Sequence, residues 1–136
     1  MNQLWKVPPV TPITRGPYLK VLPKREYEIS FLVESENGGE KPHSLKFVEV
    51  EAFKCTHMKA LGSVPREVRQ NSYFALIEVE NSPWFKEVSG AHETYCASAK
   101  LKPPRLKHLV MTFDDDPCFE FICAGFRIDK GEPSQR

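Results

Sequence analysis

Two apolar segments near the carboxy terminus, RLKHLVMTF (residues 105–113) and CFEFICAGFRI (residues 118–128), are separated only by DDDP, and that spacing restricts this part of the chain to a β-hairpin. Its register decides which side chains can be buried. If Phe113 stands opposite Phe119, the loop is DDDPC, and Leu109, Met111, Phe113, Phe119, Phe121 and Cys123 share one wholly apolar face. If Phe113 stands opposite Cys118, both faces mix apolar and polar groups, and burying either isolates a group such as Glu120 or His108. A one-residue slip turns a whole strand over, so the patterning predicts the first register. In it His108 points away from Cys123, which disfavours a Cys–His dyad in the hairpin.

Upstream, REYEISFLVES alternates, with Tyr27, Ile29, Phe31 and Val33 on one side and Glu26, Glu28, Ser30 and Glu34 on the other, as a half-buried strand does. The turn ENGGEKP leads into HSLKFVEVEAFKC. There the apolar phase moves from Leu45 and Phe47 to Val48, Val50 and Ala52, then to Phe53 and Cys55, as in a strand bent by β-bulges. A loop containing Gly62 and a short turn at VPREVRQ precede SYFALIEVE, a further strand. In NSPWFKEV a helix begins, with Ser82 as N-cap and Pro83 in the first turn, where its missing N–H costs nothing. Trp84, Val88, Ala91 and Tyr95 then form one apolar stripe; Gly90 is an early stop and Pro103–Pro104 the latest end. Residues 1–16, with Pro8, Pro9 and Pro12, read as an extended arm over the domain, and residues 130–136 as a polar tail. The expected fold is α+β. A single domain over residues 1–136 would hold a curved, mostly antiparallel sheet of about six strands, with barrel closure as one outcome of its curvature, and one principal helix.

A chain of 136 residues can bury one core without staples. Nineteen Lys and Arg against eighteen Asp and Glu leave a net charge of +1, too small a field to draw nucleic acid or an anionic membrane. No apolar run is long enough for a signal peptide or a bilayer span, so the expected compartment is the cytoplasm. Reduced thiols are expected of the four cysteines there.

Cys55 and His57, in CTH, share a strand face and are candidate metal ligands, with His108, Cys118 or Cys123 to complete a set. Neither C-x-x-C nor H-E-x-x-H supports them, and the expectation is core cysteines with no metal and no cofactor. Asp114, Asp115 and Asp116 lack the alternate spacing of a calcium loop and suit a turn, whose acidic tip is the candidate partner-binding surface. His43, His57, His92 and His108 are scattered. No G-x-S-x-G, Walker or G-x-G-x-x-G motif is present, which lowers the enzyme reading without removing it.

The block SPWFKEV together with RLKHLVMTFDDDPCFEFICAGFRI resembles the carboxy-terminal half of small bacterial proteins of about this length with no established activity. In these a Ser–Pro/Glu–Trp helix start precedes a hairpin of the form F-D-D…[FY]-E-F-I-C. The segment SGAHETYCASAK departs from that pattern. Some proteins of this general type are immunity or adaptor proteins, and the resemblance implies a bacterial protein that binds another protein without catalysis. The alternative expectation is a small-molecule binding barrel, or an enzyme of unrecognised type, with a pocket in the sheet interior near Tyr27, Cys55 and His57. A pocket of roughly a few hundred Å³ with convergent polar groups would favour the alternative.

Overall fold

The computed structural model describes residues 1–7, 14–34, 39–113 and 117–130. The strands are β1 (Asn2–Lys6), β2 (Thr14–Leu22), β3 (Glu26–Glu34), β4 (Glu40–Thr56), β5 (Ala75–Val79), β6 (Lys107–Thr112) and β7 (Cys118–Lys130). The helices are α1 (Arg66–Asn71) and α2 (Pro83–Ser98), with a 3-10 turn at Met58–Ser63. Together the strands form one seven-stranded antiparallel sheet in the order β1-β5-β6-β7-β4-β3-β2. The α+β class with one principal helix is as expected. Barrel closure is not: the order is linear, β1 and β2 end it, and the sheet is open.

The phase change read in β4 is nonetheless real. Burial moves from Leu45 and Phe47 to Val50 across Glu49, whose φ of 49° lies in the left-handed region. One such bend re-aims a strand, but closure also needs two edges able to pair. Here β1 has only five residues, with a register break between Gln3 and Trp5, and β2 breaks register between Arg15 and Tyr18, around Pro17. Short, irregular, proline-bearing strands are the kind that end sheets. Residues 2–6 of the expected arm are thus the strand β1.

By internal packing the chain forms two compact units, Met1–Lys6 with Val50–Ala124, and Val7–Glu49 with Gly125–Arg136. In the second unit β3 pairs with β4 through Tyr27↔Phe47, Ile29↔Leu45 and Phe31↔His43, and Ile29, Phe31, His43, Leu45 and Phe47 are buried. The opposite face carries the charged row Lys20, Glu28 and Lys46 in adjacent strands. Between β2 and β3 the chain turns through Pro23, Lys24 and Arg25, the last two at φ of 62° and 60°.

In the first unit, β6 and β7 form the expected hairpin with the expected faces but a corrected register. Met111 stands opposite Phe119 and Thr112 opposite Cys118, two residues away from the predicted pairing, and the Phe113 N–H donates to the Pro117 carbonyl at 3.2 Å. An even slip leaves each residue on its own face, so Leu109, Met111, Phe113, Phe119, Phe121 and Cys123 are all buried together. Phe53 stacks on Phe119 at a ring separation of 6.5 Å and tilts on Phe121 at 5.3 Å. The other hairpin face is buried as well. Val64, Val68, Ile77, Val110 and Cys118 cluster there beneath α1, and the Ser72 hydroxyl, 2.7 Å from Thr112 Oγ1, ties the end of α1 to β6.

Helix α2 starts as its sequence dictates: Ser82 Oγ accepts from the Phe85 N–H at 3.1 Å, and Pro83 occupies the first turn. Gly90 does not stop it. It ends at Ser98, where Leu101 N–H donates to the Cys96 carbonyl at 2.8 Å and Lys100 N–H to that of Ala97 at 3.3 Å, a Schellman cap with Lys100 at φ 57° in place of glycine. The expected stripe is corrected too. Tyr95 is 66% exposed and Ala91 is exposed, whereas Cys96 is the one buried residue of α2 and Phe85, Val88, Ser89 and His92 are half-buried.

Phe121→Ala is expected to lose about 3–5 kcal/mol of unfolding free energy in urea, as large aromatic deletions in filled cores do. Lys100→Gly should instead gain up to about 1 kcal/mol, because glycine adopts the left-handed cap without steric cost. A destabilised Lys100→Gly variant would contradict the cap geometry.

Candidate functional site

On the α2-facing side of the hairpin, alternation places His108, Val110, Thr112, Cys118, Glu120 and Ile122, all buried. Two of these are ionisable. The observed register sets His108 opposite Ile122 and Val110 opposite Glu120, so His108 and Glu120 are diagonal neighbours, and His108 Nε2 lies 3.0 Å from Glu120 Oε1. His108 Nδ1 lies 2.8 Å from Ser82 Oγ. With Glu120 as a carboxylate, Nε2 must carry the hydrogen and donate, leaving Nδ1 to accept from the Ser82 hydroxyl. The Ser82 oxygen in turn accepts from the Phe85 N–H. A continuous chain therefore runs from the start of α2 through β6 to β7.

Around it, the Trp84 ring meets His108 edge-on at 5.2 Å, and Lys54 Nζ sits 4.2 Å above the same indole. Farther along α2, His92 Nε2 lies 3.4 Å from Glu51 Oε1 and 3.7 Å from Cys96 Sγ. These polar and aromatic contacts position a helix that buries little apolar surface.

Ser82, His108 and Glu120 have the composition of an acyl-transfer triad. Their hydrogen-bond connectivity is that of a triad as well, with the histidine between hydroxyl and carboxylate. The serine hydroxyl is also the N-cap of α2, His108 is buried, and Ser82 is not among the residues lining the neighbouring cleft. That cleft has a volume of about 590 Å³, within the range of ligand pockets. One wall is α2, with Phe85, Ser89, His92 and Glu93 at helical spacing on one face; the other is the segment 103–107. Val79 and His108, opposite each other in β5 and β6, lie at its base, and Asn81, at φ 56°, borders it.

The sequence-predicted sites fare differently. Asp114, Asp115 and Asp116 lie outside the described residues. Cys55 Sγ and His57 Nε2 approach to 3.7 Å at the end of β4, whereas Tyr27 belongs to β3 in the other compact unit, and none of the three lines the cleft. The open sheet forms no barrel lumen for them. Among the described residues no group of three His, Cys, Asp or Glu is placed to hold a metal, and no helix is long and apolar enough to cross a membrane. Sequence reasoning kept His108 away from Cys123 but missed Ser82 and Glu120 as its partners. The signal was available in the parity of the hairpin, since His108 and Glu120 fall on the same face in either even register.

All four cysteines are free thiols, with Cys96, Cys118 and Cys123 buried and Cys55 half-buried. Burial pushes the Cys118 thiol up from its ordinary value of 9.0 to about 11, against a hydrogen bond with Thr112 that acts the other way.

Iodoacetamide at pH 8 is expected to modify Cys55 first, and Cys118 and Cys123 only in denaturant. Because the folded state holds the Cys118 proton more tightly than the unfolded chain, its stabilising contribution is complete below pH 9 and is lost as pH rises toward 11. Cys118→Ser should remove that part of the alkaline slope. Glu120→Ala and His108→Ala are each expected to cost about 1–3 kcal/mol, since each leaves a buried polar partner unsatisfied. The double variant should lose less than the sum, and strict additivity would show that the two side chains do not interact.

No family model matches this chain, and neither a curated protein nor a solved structure matches it.

Proposed function

We propose that this chain is a non-catalytic binding protein that acts on another protein, in the manner of an adaptor or immunity protein, in the reducing cytoplasm of a bacterium. One observation carries the reading. The only Ser–His–carboxylate chain among the described residues, Ser82–His108–Glu120, anchors the start of a helix, and its serine lies outside the cleft lining. A nucleophile must face the space where substrate sits, with its general base reachable from there. His108 is 5% exposed, and the Ser82 hydroxyl caps the backbone of α2 and lies outside the cleft lining. Four free thiols agree with a reducing compartment. The acidic stretch Asp114–Asp116 is retained in this reading as a candidate contact for the partner.

The test is chemical. Incubation of the full chain with a fluorophosphonate probe and with p-nitrophenyl acetate should give neither labelling of Ser82 nor turnover that depends on it. Labelling or turnover that disappears in Ser82→Ala, while that variant still melts cooperatively, would establish a serine hydrolase and overturn the reading.

A further inference from the structure

The cleft beside α2 brings charged side chains of both signs to facing walls. In the interior, among the described residues, every buried side-chain nitrogen and oxygen has a hydrogen-bond partner. The cleft mixes paired and unpaired groups: Glu80, His92 and His108 line it and have partners. Asn81, Ser89, Glu93 and Arg105 all line it, and none forms a side-chain hydrogen bond or ion pair among the described residues. Between them Phe85 and the buried Leu106 supply apolar surface. Apolar surface beside a few polar groups able to converge on a ligand is the usual composition of a recognition site.

The types and places of those groups define what fits. Asn81 offers a carboxamide, able both to donate and to accept, which is the complement of a peptide bond. Glu93 stands on the α2 wall and Arg105 on the facing segment, and the two do not pair with each other across the cleft. A ligand that completes both must carry opposite charges a cleft's width apart, with a hydrogen-bonding backbone between them. We propose that the cleft binds an extended peptide segment of a partner protein, with a basic side chain toward Glu93, an acidic one toward Arg105 and a main-chain amide against Asn81. This inference rests on the binding-protein reading above and gives it a site and a ligand chemistry.

Short random peptides displayed on phage, selected on the full-length protein, provide the test. Peptides bearing both a basic and an acidic residue should be enriched, and should shift the backbone NMR resonances of Ser89, Glu93 and Arg105. Arg105→Glu should weaken a selected peptide by roughly tenfold or more, and changing that peptide's acidic residue to lysine should restore binding. Asn81→Ala should weaken it independently of charge. Both positions are exposed, so unchanged melting temperatures are expected to separate lost binding from lost folding. Peptides that bind Glu93→Arg/Arg105→Glu as well as the native chain, or that shift resonances only elsewhere, overturn the cleft assignment and leave the interaction reading intact. Failure to enrich any peptide overturns the proposed ligand class, whereas serine-dependent turnover would overturn the reading beneath it.

Discussion

The contact between His108 Nε2 and Glu120 Oε1, at 3.0 Å, is the constraint on which the first unit depends. An all-apolar face fixes only the parity of the β6–β7 hairpin, because any even slip returns the same residues to the same side. Two ionisable groups on the opposite, equally buried face remove that freedom. In the pairing expected from sequence, Glu120 would face Thr112 and His108 would face Ala124, four positions apart along the strands. Two residues of slip make the pair diagonal neighbours and satisfy both, and leaving a buried ionisable group alone costs several kcal/mol. Once His108 is held by Glu120, its other nitrogen takes the Ser82 hydroxyl, and the start of α2 is fixed in place.

That dependence shows which features were legible in the sequence. Strand faces were legible because period-two alternation carries them, as at Ile29 and Phe31 in β3 or Leu109 and Phe121 in the hairpin. The start of α2 was legible because Ser82 and Pro83 state it locally. What failed was information held between segments. β2 and its hairpin with β3 went unread because the turn uses Lys24 and Arg25 at positive φ, where glycine or asparagine would have announced it. The end of α2 was obscured for the same reason, with Lys100 in the position that glycine normally marks. The open sheet differs from a closed barrel because the bend at Glu49 is visible in β4, whereas the irregular edges at β1 and β2 lie in segments that the sequence marks as an arm or as no element.

The stripe on α2 failed for a physical reason of its own. Apolar spacing predicts orientation when apolar burial does the orienting, but α2 is placed by Ser82–His108, His92–Glu51 and the Lys54–Trp84 contact. These turn Cys96 inward and leave Tyr95 exposed. The cleft follows from the same rotation, since the face carrying Phe85, Ser89, His92 and Glu93 then looks toward segment 103–107. None of this is local in sequence: the walls come from three segments, and no motif joins them.

A histidine bonded to both a hydroxyl and a carboxylate serves catalysis only where that hydroxyl is open to substrate. His108 lies at the base of the cleft with one nitrogen on a carboxylate and the other on a helix cap. The groups left unpaired, Asn81, Ser89, Glu93 and Arg105, sit at the margin where they can meet another molecule without leaving any interior atom unsatisfied. Under the proposed reading, a ring already held at both nitrogens would lower the ordering cost of association.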